Sequence, residues 1–148
     1  MQRSTKPQRL TPPRVRILLC PLRMLNTGMH ISFFLQLQSQ LRVLHWQTKS
    51  YAEHKALGKL YDTLDPLIDT FVETHAGKYG NTLGNPNFSF GVSNYKDSNS
   101  MGLVQTAIEF LTNELPKKLN PNTDTDLLNI RDEMVSALNQ TKYLLRLQ

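Results

Sequence analysis

From His30 onward, apolar positions in this chain recur at helical spacing, and strand signals are weak everywhere. Phe34, Leu37, Leu41 and Leu44 stand three and four residues apart, one stripe of an amphipathic helix ending near Thr48. A second run, Leu57, Leu60, Tyr61, Leu64, Leu67, Ile68, Phe71 and Val72, stops at "GKYG", with a glycine just past its end. A third follows "DSNS" and passes through Leu103, Val104, Ala107, Ile108, Leu111 and Leu115, with Pro116 marking its end or a kink. The fourth follows "PNTDTD", whose Thr and Asp residues are good N-caps, and carries Leu127, Ile130, Met134, Leu138 and Leu145. The pattern predicts an all-α fold of four helices.

Pro66 falls inside the second run. "LDPLID" reads as a fresh N-terminus, with Asp65 as cap and Pro66 at the first helical position. The apolar spacing stays in phase across it, so a kink rather than a break is expected.

The connections constrain topology. About four residues around Lys49 to Ala52 join helices one and two, and a similarly short link near Asn120 joins three and four. Short links make antiparallel neighbours. Helices two and three are separated by roughly 20 residues, "GNTLGNPNFSFGVSNYKDSNS". A 20-residue helix is about 30 Å long, and 20 extended residues reach roughly 66 Å, so this segment can carry the chain along the whole bundle. Short, long, short is the connectivity of a ferritin-like bundle with one long crossover. An up-down-up-down bundle with a long loop is the alternative.

Charge divides the chain. Residues 1–28 carry Arg3, Lys6, Arg9, Arg14, Arg16 and Arg23 and no acid, whereas from Met29 there are 11 basic residues (17 minus 6) against 12 acidic ones. The expected organisation is a basic, disordered extension over 1–28 and a bundle over 29–148. The extension reads as an arm touching nucleic acid or a membrane surface, as a targeting peptide, or as an incidental stretch ahead of a natural start at Met24 or Met29. Any DNA binding has to rest on it. The single cysteine, Cys20, excludes an intramolecular disulfide or a cysteine-rich zinc site and suits a reducing compartment, so the expected location is cytoplasmic. No apolar run approaches the roughly 18 residues that span a bilayer.

Candidate chemistry gathers in "LRVLHWQTKSYAEHKALGKLYD". In a hairpin turning near Ser50, residues equidistant from the turn face each other, so His45 and His54 can approach. Asp69 and Glu73 are one turn apart on the second helix and can present two carboxylates to one cation. His54 and Asp69 are 15 residues apart, about 22 Å of helix, which ligand bonds of about 2 Å cannot close. A four-residue site therefore needs a second copy running the opposite way. Without a metal, the histidines are surface or capping residues, Asp69 and Glu73 are solvated faces, and Trp46 is a core anchor. His30 and His75 have no partner that spacing identifies, and Glu109, Glu114, Asp132 and Glu133 read as solvated faces.

"LHWQTKSYAEHKALGKLYD" followed by "LIDTFVE" resembles the first hairpin of the Dps branch of the ferritin-like superfamily. There a His-Trp near the end of the first helix precedes a second His and then an Asp and a Glu one turn apart. The resemblance implies a shell of identical subunits, at least a two-fold dimer, that oxidises iron(II) at sites shared between subunits. His45, His54, Asp69 and Glu73 would be the metal ligands, for iron or, as the alternative, zinc. The pattern departs at Gly58, where the family has an acid four residues after the second His, and in a shorter interval between the histidines. Fewer anionic ligands should hold iron less tightly. No Glu-x-x-His falls on helices two or four, so a di-iron site within one bundle is unsupported. Residues 30–148 also resemble uncharacterised phage proteins sharing "HWQTKSYAEHKA", which implies the alternative of a non-catalytic ferritin-like structural or interaction module, a phage accessory protein.

Overall fold

The structure, a computed structural model, describes residues 28–80 and 89–147. The basic extension, Cys20 included, lies outside the described residues apart from its last position. Regular structure among the described residues is helical: α1 (Gly28–Gln47), α2 (Tyr51–Tyr79), α3 (Ser100–Glu109) and α4 (Thr125–Leu144). No described helix is long and apolar enough to cross a membrane.

The predicted stripes form the core. Phe34, Leu41 and Leu44 of α1 are buried against Leu57, Leu60, Leu64 and Phe71 of α2, Leu111 and Leu115 after α3, and Leu127, Met134 and Leu138 of α4. Each such side chain contributes roughly 1.5–3 kcal/mol by leaving water. Phe34 meets Phe71 edge-on with ring centroids 5.6 Å apart, and Phe33 stacks on Phe110 at 3.7 Å. Trp46 departs from expectation: it is 70% exposed. It follows Leu44 by two residues, about 200° round the helix, and so faces away from the core.

α2 starts where Ser50, in extended backbone, accepts a hydrogen bond from the Glu53 N–H at 3.2 Å. It runs unbroken through Pro66 and ends at Gly80, whose φ of 79° suits a residue without a Cβ. Asp65 does not cap a new helix. Its carboxylate instead accepts from Gln38 Nε2 at 2.9 Å and pairs with the Arg42 guanidinium, which also lies over the Tyr61 ring at 4.8 Å. These contacts clasp α1 to α2.

The third helix is shorter than its apolar stripe. Beyond Glu109 the backbone forms a π turn over Phe110–Glu114 and a 3₁₀ turn over Leu115–Lys118. The Leu115 N–H bonds to the Phe110 carbonyl, one residue further back than in an α-helix. That bypasses the Leu111 carbonyl, and Pro116 has no N–H to offer it. Arg131 of α4 fills the gap, donating from Nη1 to Leu111 O at 3.2 Å.

Contacts at the helix ends set directions. Ser100, at the start of α3, donates to Glu53, at the start of α2, so these two helices begin at the same end of the fold. Lys78, near the end of α2, reaches Thr123 O and Asp126 at the start of α4. Lys142 donates to Gln105, which sets α4 against α3. The described part of the chain between α2 and α3 lies on α1: Gln36 Nε2 donates to Gly91 O at 2.9 Å, and Gln40 holds both the Ser93 carbonyl (2.8 Å) and N–H (2.7 Å). Gln47 accepts from Tyr95 N–H at 2.7 Å. The three glutamines fall within about 40° of one line on α1.

The histidine corner as candidate functional site

Where α1 turns into α2, the His45 and His54 rings stack with centroids 3.8 Å apart and planes 21° from parallel. His45 Nδ1 is 2.8 Å from the His54 carbonyl, and His54 Nδ1 is 3.0 Å from the His45 carbonyl. A carbonyl only accepts, so each Nδ1 carries its hydrogen, and in the neutral ring the lone pair sits on Nε2. His54 thus satisfies a carbonyl in the last turn of α1, which the helix itself leaves without a partner. Tyr61 closes the other side, its ring perpendicular to His45 at 5.2 Å.

Gly58 explains how the rings fit. A Cβ there would lie 3.1 Å from His45 Cε1 and 3.4 Å from its Nδ1. The His45 ring occupies the space that a side chain at 58 would need. Position 58 is thus a packing site for imidazole.

The corner gathers two of the four residues that spacing singled out. Asp69 and Glu73 are exposed and lie 15 and 19 residues beyond His54 on the same unbroken helix, about 22 Å and 28 Å along its axis. One chain does not unite them with the histidines. Among the described residues, no three His, Cys, Asp or Glu side chains gather where they could hold a metal ion. Within one copy, two neutral nitrogen donors without an anion do not make an iron-oxidising centre.

Two buried carboxylates escaped the sequence reading. Glu53, 4% exposed, accepts from Thr48 Oγ1 at 2.5 Å, from Tyr95 Oη at 2.7 Å and from the Ser100 hydroxyl. Burial pushes its carboxyl up, but the hydroxyls of Ser100, Thr48 and Tyr95 outweigh this and hold it below the ordinary value. Ser50 and Glu53 have the spacing of a capping box, a signal legible in "SYAE". The box is expanded: Ser50 N–H donates to Thr48 Oγ1, which in turn donates to Glu53.

Asp124, one of the Thr and Asp residues of "PNTDTD" suited to capping, stands at the N-cap of α4, but its side chain makes no capping bond. It accepts instead from the Tyr79 hydroxyl, from Asn120 N–H at 2.8 Å and from Lys78 at 3.0 Å, which hold its carboxyl down to about 2. His75 packs beside Tyr79 with centroids 4.9 Å apart, and burial lowers its proton affinity. Both carboxylates tie helix ends together. Saturated by donors, neither is placed for proton transfer.

Comparison with known proteins gives kinship without chemistry. The chain is 25% identical over 119 residues to an uncharacterised 14.6 kDa protein in the mobD-ri intergenic region of enterobacteria phage T4, covering 80% of this chain and 87% of that protein. No solved structure matches. Residues 45–145, from the first histidine of the corner to the end of α4, match one family throughout, and the chain belongs to that family of unknown function, DUF5856.

Proposed function

We propose that this chain is a phage accessory protein, a non-catalytic structural or interaction module built as a ferritin-like bundle with one long crossover. The observation that carries this reading is the His45 ring seated against Gly58, where a ferroxidase of the Dps kind needs a carboxylate. The phage relative supports it. Trp46 and Tyr51, 70% and 76% exposed, flank the corner and offer aromatic anchors of the kind that dominate protein interfaces. The test is iron(II) added in air to the purified full chain, followed by absorbance, with elemental analysis of the protein as isolated. The expected result is no protein-dependent oxidation and no bound metal. Oxidation that disappears in His45→Ala and His54→Ala would overturn the proposal.

A second reading is favoured by the two Nδ1–H bonds. Metal-bound imidazoles commonly donate their other N–H to a carbonyl, as both of these do. In this reading His45 and His54 of one copy and Asp69 and Glu73 of a second hold a divalent metal, iron or zinc, in a cytoplasmic homo-oligomer. The carboxylates would supply the anionic charge, and the carbonyls would fix the rings with Nε2 outward. Native mass with and without added zinc tests it. Metal-dependent assembly lost in His54→Ala supports it, and assembly indifferent to metal removes it.

A further inference from the structure

The outer face of α2 carries a charge pattern with its own symmetry. Taking about 100° per residue, Lys55, Lys59, Asp62, Pro66, Asp69 and Glu73 stay within about 40° of one line, and all six are exposed. Two lysines, Lys55 and Lys59, open the stripe and two acids, Asp69 and Glu73, close it, with Asp62 and Pro66 between them. Lys55 and Glu73 stand nine residues either side of Leu64, Lys59 and Asp69 five, and Asp62 and Pro66 two.

Within the chain this arrangement is unfavourable. Lys55 with Lys59, and Asp69 with Glu73, are like charges one turn apart, which weakens a helix. None of the four forms an ion pair or side-chain hydrogen bond with another described residue.

The same symmetry extends to the ends of the helix. Tyr51, 76% exposed, stands thirteen residues before Leu64, and Gly77 thirteen after it. A Cβ at Gly77 would meet nothing within 4 Å, so no contact in the chain calls for glycine there, although glycine weakens a helix interior.

We infer that this face of α2 pairs with the same face of a second copy of the chain, antiparallel and centred on residue 64. In that register Lys55 meets Glu73 of the second copy, Lys59 meets Asp69, and the Tyr51 ring lies over the bare backbone of Gly77. Two-fold symmetry makes each contact twice. The like-charge pairs that trouble the single helix become complementary pairs between helices. The register differs from the shared-metal reading, because Asp69 and Glu73 here engage lysines rather than imidazoles, and it does not depend on either reading of the histidine corner.

Sedimentation of the full chain tests the pairing. The wild type is expected to be a dimer whose dissociation rises as salt goes from about 0.05 M to about 1 M. Lys55→Glu with Lys59→Glu makes the stripe wholly acidic, and Asp69→Lys with Glu73→Lys makes its charge pairs wholly basic. Circular dichroism checks that both variants keep their helices. Each alone should be a monomer, while an equimolar mixture should restore the dimer, at least about tenfold tighter than either variant with itself. A monomeric wild type, a dimer unchanged in both variants, or a mixture that fails to associate would each overturn the inference.

Discussion

His45 and His54 lie ring on ring, and each donates its Nδ1–H to the other's backbone carbonyl, so two residues nine apart in sequence hold one corner reciprocally. Removing the His54 ring leaves the His45 carbonyl without its donor, removing the His45 ring takes a second donor from the His54 carbonyl, and either change leaves the surviving ring without its stacking partner. His45→Ala and His54→Ala should each cost about 1–3 kcal/mol in urea denaturation. The double variant should cost less than their sum. Strict additivity would mean that the rings do not support each other.

Gly58 sets the approach of the His45 ring to the backbone of α2. Gly58→Ala should stay within about 1 kcal/mol of wild type, because the gain in helix propensity offsets the tight contact. Gly58→Leu should expel the ring and destabilise by about 1–3 kcal/mol, mostly through the lost hydrogen bonds. Thermal unfolding of the two variants separates these outcomes.

Glu53 is held ionised by three hydroxyls at the junction of α1, α2 and the start of α3. Its folded pKa lies below the ordinary 4.5, despite burial acting the other way. Its contribution is therefore fully present above that value and is lost as pH falls through the lowered folded pKa. Glu53→Gln should destabilise by about 1–3 kcal/mol at neutral pH and flatten the stability profile on the acid side. An unchanged profile in denaturant titrations across pH would contradict this.

Asp124 acts at the opposite end of the bundle. Its pKa drops from 3.8 to about 2 through Tyr79, Asn120 and Lys78. The stabilisation is complete above 3.8 and disappears as pH falls toward about 2. Asp124→Asn should remove that stretch of the acid-unfolding curve while leaving its shape above pH 5 the same, as circular dichroism on acid titration would show.

The core was readable because burial writes itself as spacing: Phe34, Leu41, Leu57 and Leu138 all stand on predicted stripes and are all buried. The approach of His45 to His54 followed from their equal distance to the turn. The interior ties did not show. Glu53 and Asp124 look like ordinary surface acids, since neither breaks an apolar rhythm and the hydroxyls of Tyr79, Tyr95 and Ser100 that bond them lie 42 to 47 residues away. The change from α to π and 3₁₀ bonding after Glu109 did not show, because the apolar pattern continues in phase, whereas the missing N–H of Pro116 acts on backbone bonds that a side-chain pattern does not record. Trp46 was misplaced by weighing its size above its angular position.

Gln40 is nearly buried and holds both backbone groups of Ser93. Gln40→Ala should cost about 1–3 kcal/mol by stranding a donor and an acceptor together. Amide hydrogen exchange should accelerate first at residues 91–95. Protection there equal to wild type would show that the other two glutamines suffice.

The glutamine clasps have a consequence for how the segment before α3 can vary. Four residues of α1 rise about 6 Å between Gln36 and Gln40, close to what two extended residues cover from Gly91 to Ser93. From Gly91 to Ser93 the segment is thus measured against a helical ruler whose marks are amides gripping main chain, indifferent to the letters they hold. Sequence drift between Gly91 and Tyr95 is cheap so long as the count is kept. A single residue inserted or deleted between Gly91 and Ser93 would put one of these two grips out of step.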